Sequence, residues 1–386
     1  MKRSYLGSVL IILLMLTNLT YSEEADSSDG FIFTTIYEVE TTPVKNQARS
    51  GTCWAFAAMS FFETELLREK NQIFDLSEMF FVHHMYQEKA QNYMRMHGLA
   101  NFGAGNVFGD VLRGIRYYGL MPEEAYSGRA TGDTLHNHNE MDAVLISSLD
   151  AIINNSNRKI STVWPELITS ILDLYLGKIP EKFEYDGNKY SPKTFVAWLD
   201  PKPNNYIQLT SYTHHPFYRS FSLEIPDNWA QSQYQNIPLD EFMTVIDHAL
   251  AKGYSVAWDG DVSEKSFSMK EGVAILPEKE WHLRTKAEKD SICKRPEPEI
   301  VVDQNSRQKD FDTYVSKDDH LMHLVGLAED QNGVRYYKTK NSWGIKDSKY
   351  NGFIYMSESF VKSRTVSIMV AKKALPGGIA EKLGLD

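Results

Sequence analysis

Gln47-Ala48-Arg49-Ser50-Gly51-Thr52-Cys53-Trp54-Ala55-Phe56 sets a cysteine at the head of a helical pattern. Beyond it, to Lys70, apolar residues recur at Phe56, Met59, Phe62, Leu66 and Leu67, which predicts an amphipathic helix with Glu63, Glu65, Arg68 and Glu69 on its wet side. The partial positive charge at a helix N-terminus favours thiolate over thiol, and the thiolate is the nucleophilic form of cysteine. Gly51 is expected to let the chain turn tightly into that helix. Gln47 can aim a side-chain N–H alongside the Cys53 backbone N–H at a carbonyl oxygen under attack. Two donors directed at a developing oxyanion are what acyl transfer requires.

A nucleophilic sulfur also needs a base that later protonates the leaving amine, and the chain offers eleven histidines. His320, in Asp319-His320-Leu321-Met322-His323, opens a β-rich run. Asn341, in Asn341-Ser342-Trp343-Gly344, follows what reads as a hairpin turn at Asn332-Gly333. Two adjacent antiparallel strands would bring Asn341 beside His320, where its amide oxygen holds one imidazole nitrogen while the other faces Cys53. Trp343 would shield that hydrogen bond from water. His323 is the rival base, but in a strand it points to the opposite face from His320, and the Asp-His context favours His320. The pairs His83-His84, His136/His138 and His214-His215 invite a metal reading. Adjacent helical positions do not share a face and no Glu/His pattern at i, i+4 accompanies them, so no metal site is expected.

Outward from these motifs the chain divides by character. Asp75-Leu76-Ser77-Glu78 reads as a helix N-cap leading into a helix to about Met94. Gly98 to Gly109 is a glycine-rich loop, Asp110 to Tyr118 is helical, and helical spacing returns over 140–178. The second half turns β-rich at 206–210, 218–225, 255–258, 321–327, 334–339, 352–356 and 366–370, with a helix from Pro238 to Gly253. Residues 259–318 are polar and show no clear period. The expectation is an α+β fold of a helical lobe (41–204) and a β lobe (205–386), with a cleft between them, preceded by a leader and strand over 23–40.

Composition narrows the function classes. The chain has 386 residues, 42% of them hydrophobic, and a formal charge of −10, without a Lys/Arg run suited to phosphate backbones; nucleic acid is therefore not an expected partner. Lys2 and Arg3 precede an apolar run, Val9 to Leu16, and Thr20-Tyr21-Ser22 suits cleavage before Glu23, so residues 1–22 read as a signal peptide and the protein as exported, periplasmic or secreted. The run is shorter than the roughly 20 apolar residues of a spanning helix. Two cysteines exclude a disulfide-built scaffold and a four-Cys zinc site. A Cys53–Cys293 disulfide would remove the nucleophile, whereas the ordered set of Gln47, Cys53, His320 and Asn341 argues for catalysis. Cys293 itself reads as a free or semi-exposed thiol in a polar segment.

At Ser50-Gly51-Thr52-Cys53-Trp54, Asp75-Leu76-Ser77-Glu78, Tyr118-Gly119-Leu120-Met121-Pro122, His320-Leu321-Met322 and Asn341-Ser342-Trp343-Gly344 the chain resembles the papain-like cysteine peptidases, most closely their bleomycin hydrolase/aminopeptidase C branch. The resemblance implies a papain-like two-lobed fold with a β-barrel-like second lobe, and hydrolysis of peptide substrates through a thioester acyl-enzyme without a cofactor. It assigns Cys53 as nucleophile, His320 as acid/base, Asn341 as its orienter and Gln47 as oxyanion donor. Gly105, in Gly103-Ala104-Gly105-Asn106, matches the loop whose backbone holds substrate extended, and with Trp343 it completes the substrate-binding set. Hexameric assembly is implied by the branch alone. The 267 residues between Cys53 and His320 exceed the papain spacing of roughly 130–150 and fit the branch's long inserts. An N-terminal trimming activity is the leading expectation. Internal cleavage, and peptide binding without turnover, are the alternatives.

Overall fold

A computed structural model describes residues 30–157 and 159–385. The signal-peptide segment 1–22 and nearly all of the acidic leader lie outside the described residues. Chain order begins with β1 (Thr34–Glu38) and six helices of the first lobe: α1 (Cys53–Lys70), α2 (Glu78–Arg95), α3 (Phe108–Tyr117), α4 (Asn139–Ile153), α5 (Trp164–Leu176) and α6 (Pro192–Leu199). The hairpin β2 (Phe183–Tyr185) and β3 (Asn188–Tyr190) sits between the last two. The second half holds β4 (Tyr206–Thr210), β5 (Ser220–Ser222), β6 (Gln233–Asn236), α7 (Leu239–Ala251), β7 (Val256–Gly260), β8 (Phe267–Ser268) and β9 (Val273–Ala274). After α8 (Lys286–Asp290) and α9 (Gln304–Asp312) come β10 (His320–Glu329), β11 (Arg335–Lys340), β12 (Phe353–Ser357), α10 (Glu358–Arg364), β13 (Thr365–Ala371) and α11 (Gly377–Lys382).

α1 begins at Cys53, as its periodicity predicts, but its wet side is largely missing: Glu63 and Glu65 are buried. A buried carboxylate is tolerated only when its oxygens are satisfied. Glu63 accepts from Thr42 Oγ1 (2.7 Å), Lys45 Nζ (2.9 Å) and the Leu76 N–H (2.9 Å), and Glu65 is bound by Arg68 (2.7 Å). Lys45 also reaches Glu78 at 2.7 Å. This network pins the segment carrying Gln47 against α1 and the start of α2, where Ser77 Oγ caps the helix by accepting the Phe80 N–H.

Most strands join one sheet in the order β5-β6-β4-β13-β7-β10-β11-β12-β9-β8, with β1 also on β10. It is open, ending in β5 and β8, so the lobe expected to be barrel-like is not a closed barrel among the described residues. Pairing is antiparallel except at β4–β6 and β9–β12. β10 is the hub: β7 pairs with its first half, β1 with its second half, and β11 along the other edge. Gly326 is where β1 crosses closest, since a Cβ there would come within 2.8 Å of the Tyr37 carbonyl oxygen. The polar 259–318 stretch supplies the end of β7, both short edge strands, and α9. Arg307 of α9 is buried and donates to the carbonyls of Ser211 (2.9 Å) and Lys362 (2.8 Å). After β13, His248 Nδ1 meets the Ala374 carbonyl at 2.8 Å and Lys382 pairs with Glu241 at 2.5 Å, so this tail lies along α7.

Candidate active site

Cys53 is the first residue of α1 and is buried, 8% exposed. The Leu321 N–H, at the start of β10, is directed to its sulfur. That contact joins the helix mouth to the strand bearing His320, in sequence the preceding residue. His320 is itself buried, and its Nε2 lies 2.8 Å from Asn341 Oδ1. The same oxygen accepts the Ser342 N–H at 2.7 Å, which fixes which end of the amide is oxygen. Nε2 therefore carries the donated proton and leaves Nδ1 as the free nitrogen. Asn341 follows β11 directly, and the β10–β11 antiparallel pairing around the Asn332-Gly333 turn brings it back to the start of β10. The Trp343 ring lies 4.8 Å from the His320 ring, tilted by 38°.

Gln47 is held at both ends of its amide. Nε2 donates to the Ser50 carbonyl at 2.8 Å, and Oε1 accepts from Ser342 Oγ at 2.6 Å. One N–H of the NH₂ group is thus committed, and the second remains. Ser342 links Gln47 to the Asn341 segment, a role no sequence spacing signalled.

Gly51 is small for a reason other than a tight turn. It has no left-handed backbone, but a Cβ there would sit 2.7 Å from the Ala104 Cβ, so it permits close approach of the glycine loop. That loop is tied down from inside: Trp54 Nε1 donates to the Ala104 carbonyl (2.8 Å), and Lys89 Nζ donates to the carbonyls of Gly103 (2.8 Å) and Gly105. Gly105 follows Ala104, the residue that meets Gly51 two positions before Cys53.

Electrostatics run against the simple expectation of an eased thiolate. Burial pushes the Cys53 thiol up to about 12; the Leu321 N–H pulls it back, and Asp318, Asp227 and Asp259 push it further. Burial lowers His320 to about 4, with the Asn341 hydrogen bond opposing. A lone thiolate and a lone imidazolium are therefore both disfavoured here. The three carboxylates are the features that motif reading missed. Asp319 also behaves differently from its sequence context, since its Oδ1 takes the Val262 N–H at 3.0 Å.

His323 is buried on α1, with Nδ1 2.9 Å from Ser60 Oγ and its ring edge-on to Phe61. The two cysteines are free thiols. Cys293, expected to be half-exposed, is buried among Phe31, Val273, Ile275 and Tyr336, and donates to the Ser266 carbonyl at 2.9 Å. The helical argument applied to His214-His215 does not hold locally: both rings follow β4 in a turn and reach Glu224, at 3.2 and 2.6 Å. These three are exposed or half-exposed, and the ring–carboxylate hydrogen bonds account for their meeting.

This arrangement defines a cysteine peptidase of papain-like fold. The Peptidase C1-like family matches residues 14–97 and 108–385, and the chain belongs to it. Among similar proteins, aminopeptidase E of Lactobacillus helveticus is 25% identical over 92% of this chain and 86% of its own length. Aminopeptidase C of Lactococcus lactis subsp. lactis is 23% identical over 86% and 81%. The solved structure of PepW from Lactobacillus rhamnosis HN001 aligns with a TM-score of 0.67 at 20% identity, covering 91% of this chain and 84% of that one, a likeness of fold.

Proposed function

We propose that the protein is a thiol aminopeptidase that releases the N-terminal residue of peptides, with Cys53 as nucleophile. The observation that carries this reading is the meeting of the Cys53 sulfur with the start of β10, where His320 is held by Asn341 at 2.8 Å. In the first step the Cys53 proton moves to His320 Nδ1 as sulfur bonds to the scissile carbonyl carbon. The Cys53 N–H and the second Gln47 N–H meet the oxyanion. The C–N bond breaks, the imidazolium proton leaves with the amine, and a thioester remains. Water, deprotonated by the same ring, then displaces the sulfur and frees the acid. The names of the similar aminopeptidases support the exopeptidase assignment.

The test combines labelling with substrate choice. A thiol-directed epoxide is expected to modify Cys53, Cys53→Ala to be inactive, and free-amine aminoacyl reporters to be hydrolysed faster than N-blocked peptides. Faster cleavage of blocked internal bonds would favour endopeptidase action, and a wild type as inactive as Cys53→Ala would leave peptide binding alone. The family resemblance also leads us to propose a homo-oligomer, a hexamer, which light scattering checks. Residues 1–22 we propose as an export signal, supported by the charged start and apolar run; an N-terminus at Glu23 in the exported chain is the expected finding.

A further inference from the structure

An enzyme that removes only N-terminal residues must stop longer chains from lying across its cleft and must recognise a free ammonium. Asp227 is placed for both. It lies in the connection between β5 and β6, and this connection runs over the glycine loop: Asn101 Nδ2 donates to the Pro226 carbonyl (3.2 Å), and Trp229 Nε1 donates to Asn106 Oδ1 (2.7 Å). Asn101 Nδ2 also donates to Asp227 Oδ1 at 2.7 Å, which leaves Oδ2 turned to Gly105. A Cβ on Gly105 would collide with that oxygen. The carboxylate thus fills the space beside the loop where a side chain on residue 105 would stand.

Two further carboxyl groups stand with it, from separate parts of the fold. Asp318 precedes β10, and Asp259 lies on β7 opposite Leu321, the residue whose N–H meets the sulfur. Asp259 is fully buried; its Oδ2 accepts from Ser367 Oγ at 2.9 Å, while its Oδ1 receives no donor from another group. Neither oxygen of Asp318 receives one either. The two carboxyls hold each other only through a proton of their own, and burial raises both well above the carboxylate range. Lys89, the buried cation on this side, is directed at the carbonyls of Gly103 and Gly105. A shared proton satisfies only one oxygen of each carboxyl, and an incoming N–H-rich cation would meet lone pairs that remain.

We propose that Asp227, backed by Asp318 and Asp259, forms the subsite that receives the free α-ammonium of the residue acylating Cys53, and that the β5–β6 connection blocks chains extending beyond it. This rests on the aminopeptidase reading above. The assay compares kcat/KM for four coumarin amides: a free-amine aminoacyl, its desamino isostere, the N-acetyl form, and an N-acetyl-lysyl amide carrying only a side-chain ammonium. Epoxide titration of Cys53 counts folded sites in each preparation. Asp227→Asn keeps an oxygen for Asn101 while removing the charge. It is expected to lower kcat/KM on the free-amine amide by roughly 10- to 100-fold, the range of a charge-assisted hydrogen bond, and to change the desamino rate less than threefold. Asp318→Asn, which replaces a protonated carboxyl by an amide, should shift the ratio in the same direction but by less than Asp227→Asn.

If the wild type prefers the free amine and both variants keep its amine-to-desamino ratio, the subsite is wrong and the aminopeptidase reading stands. A wild type that prefers the N-acetyl amide overturns that reading and the subsite with it. Selective loss on the acetyl-lysyl amide would show a pocket for side-chain cations and overturn the α-ammonium assignment.

Discussion

Asn341→Ala is the substitution that most directly examines the proposed site. Asn341 Oδ1 accepts two hydrogen bonds, from His320 Nε2 at 2.8 Å and from the Ser342 N–H at 2.7 Å. Losing it strands a ring N–H that is buried, with Trp343 beside the ring. During acylation the ring is an imidazolium, so the bond lost is one to a charged group, worth about 1.5–3 kcal/mol. At 1.36 kcal/mol per tenfold, kcat/KM should fall by about 10- to 150-fold, largely in kcat. The pH profile moves as well. Burial lowers His320 and the Asn341 bond opposes it, so removing the bond lowers the imidazole pKa further. The ring acts as a neutral base in the proposed first step, so the acid limb of kcat/KM, where that base becomes protonated, shifts to lower pH. Steady-state kinetics from pH 3 to 9, normalised by epoxide titration, give both numbers. A variant within twofold of wild type, with an unmoved acid limb, would refute the assignment of Asn341 as the orienter of a working base.

Gln47→Ala should cost kcat roughly 100-fold, the usual scale for one oxyanion donor, with KM little changed; an equal effect on both would point to lost packing instead. Gly51→Ala puts a Cβ 2.7 Å from that of Ala104, so urea denaturation should show a loss of about 1–3 kcal/mol and KM should rise as the glycine loop moves. Stability should also fall with acid. His84, stacked on Tyr118 at 3.9 Å, is lowered by burial to about 3, so its contribution is present above the unfolded value near 6.5 and is lost progressively as pH falls from there to about 3. Between pH 7 and 5 this amounts to roughly 2 kcal/mol, and His84→Phe should remove that part of the decline in a pair of denaturation curves.

What the sequence disclosed was local. The α1 start at Cys53, the Ser77 cap, β4 and the β10–β11 hairpin follow from periodicity, caps and turn residues within a few positions of each other, and Asn341 reaches His320 through that hairpin. What it concealed depends on partners distant in the chain. Glu63 looks like a surface glutamate until Thr42, Lys45 and Leu76 are folded over it. Cys293 sits in a polar stretch yet is covered by aromatic residues from both ends of the chain. The order of an open sheet, the use of 259–318 as its edge, and the convergence of Asp227, Asp259 and Asp318 on one sulfur leave no periodic trace.

β10 exchanges backbone hydrogen bonds with three other strands and bears the imidazole on its first residue. An imidazole mounted there cannot drift while the scaffold survives, because a strand paired on both edges would have to let go first. Displacement of that imidazole by denaturant is thereby tied to unzipping of the central sheet.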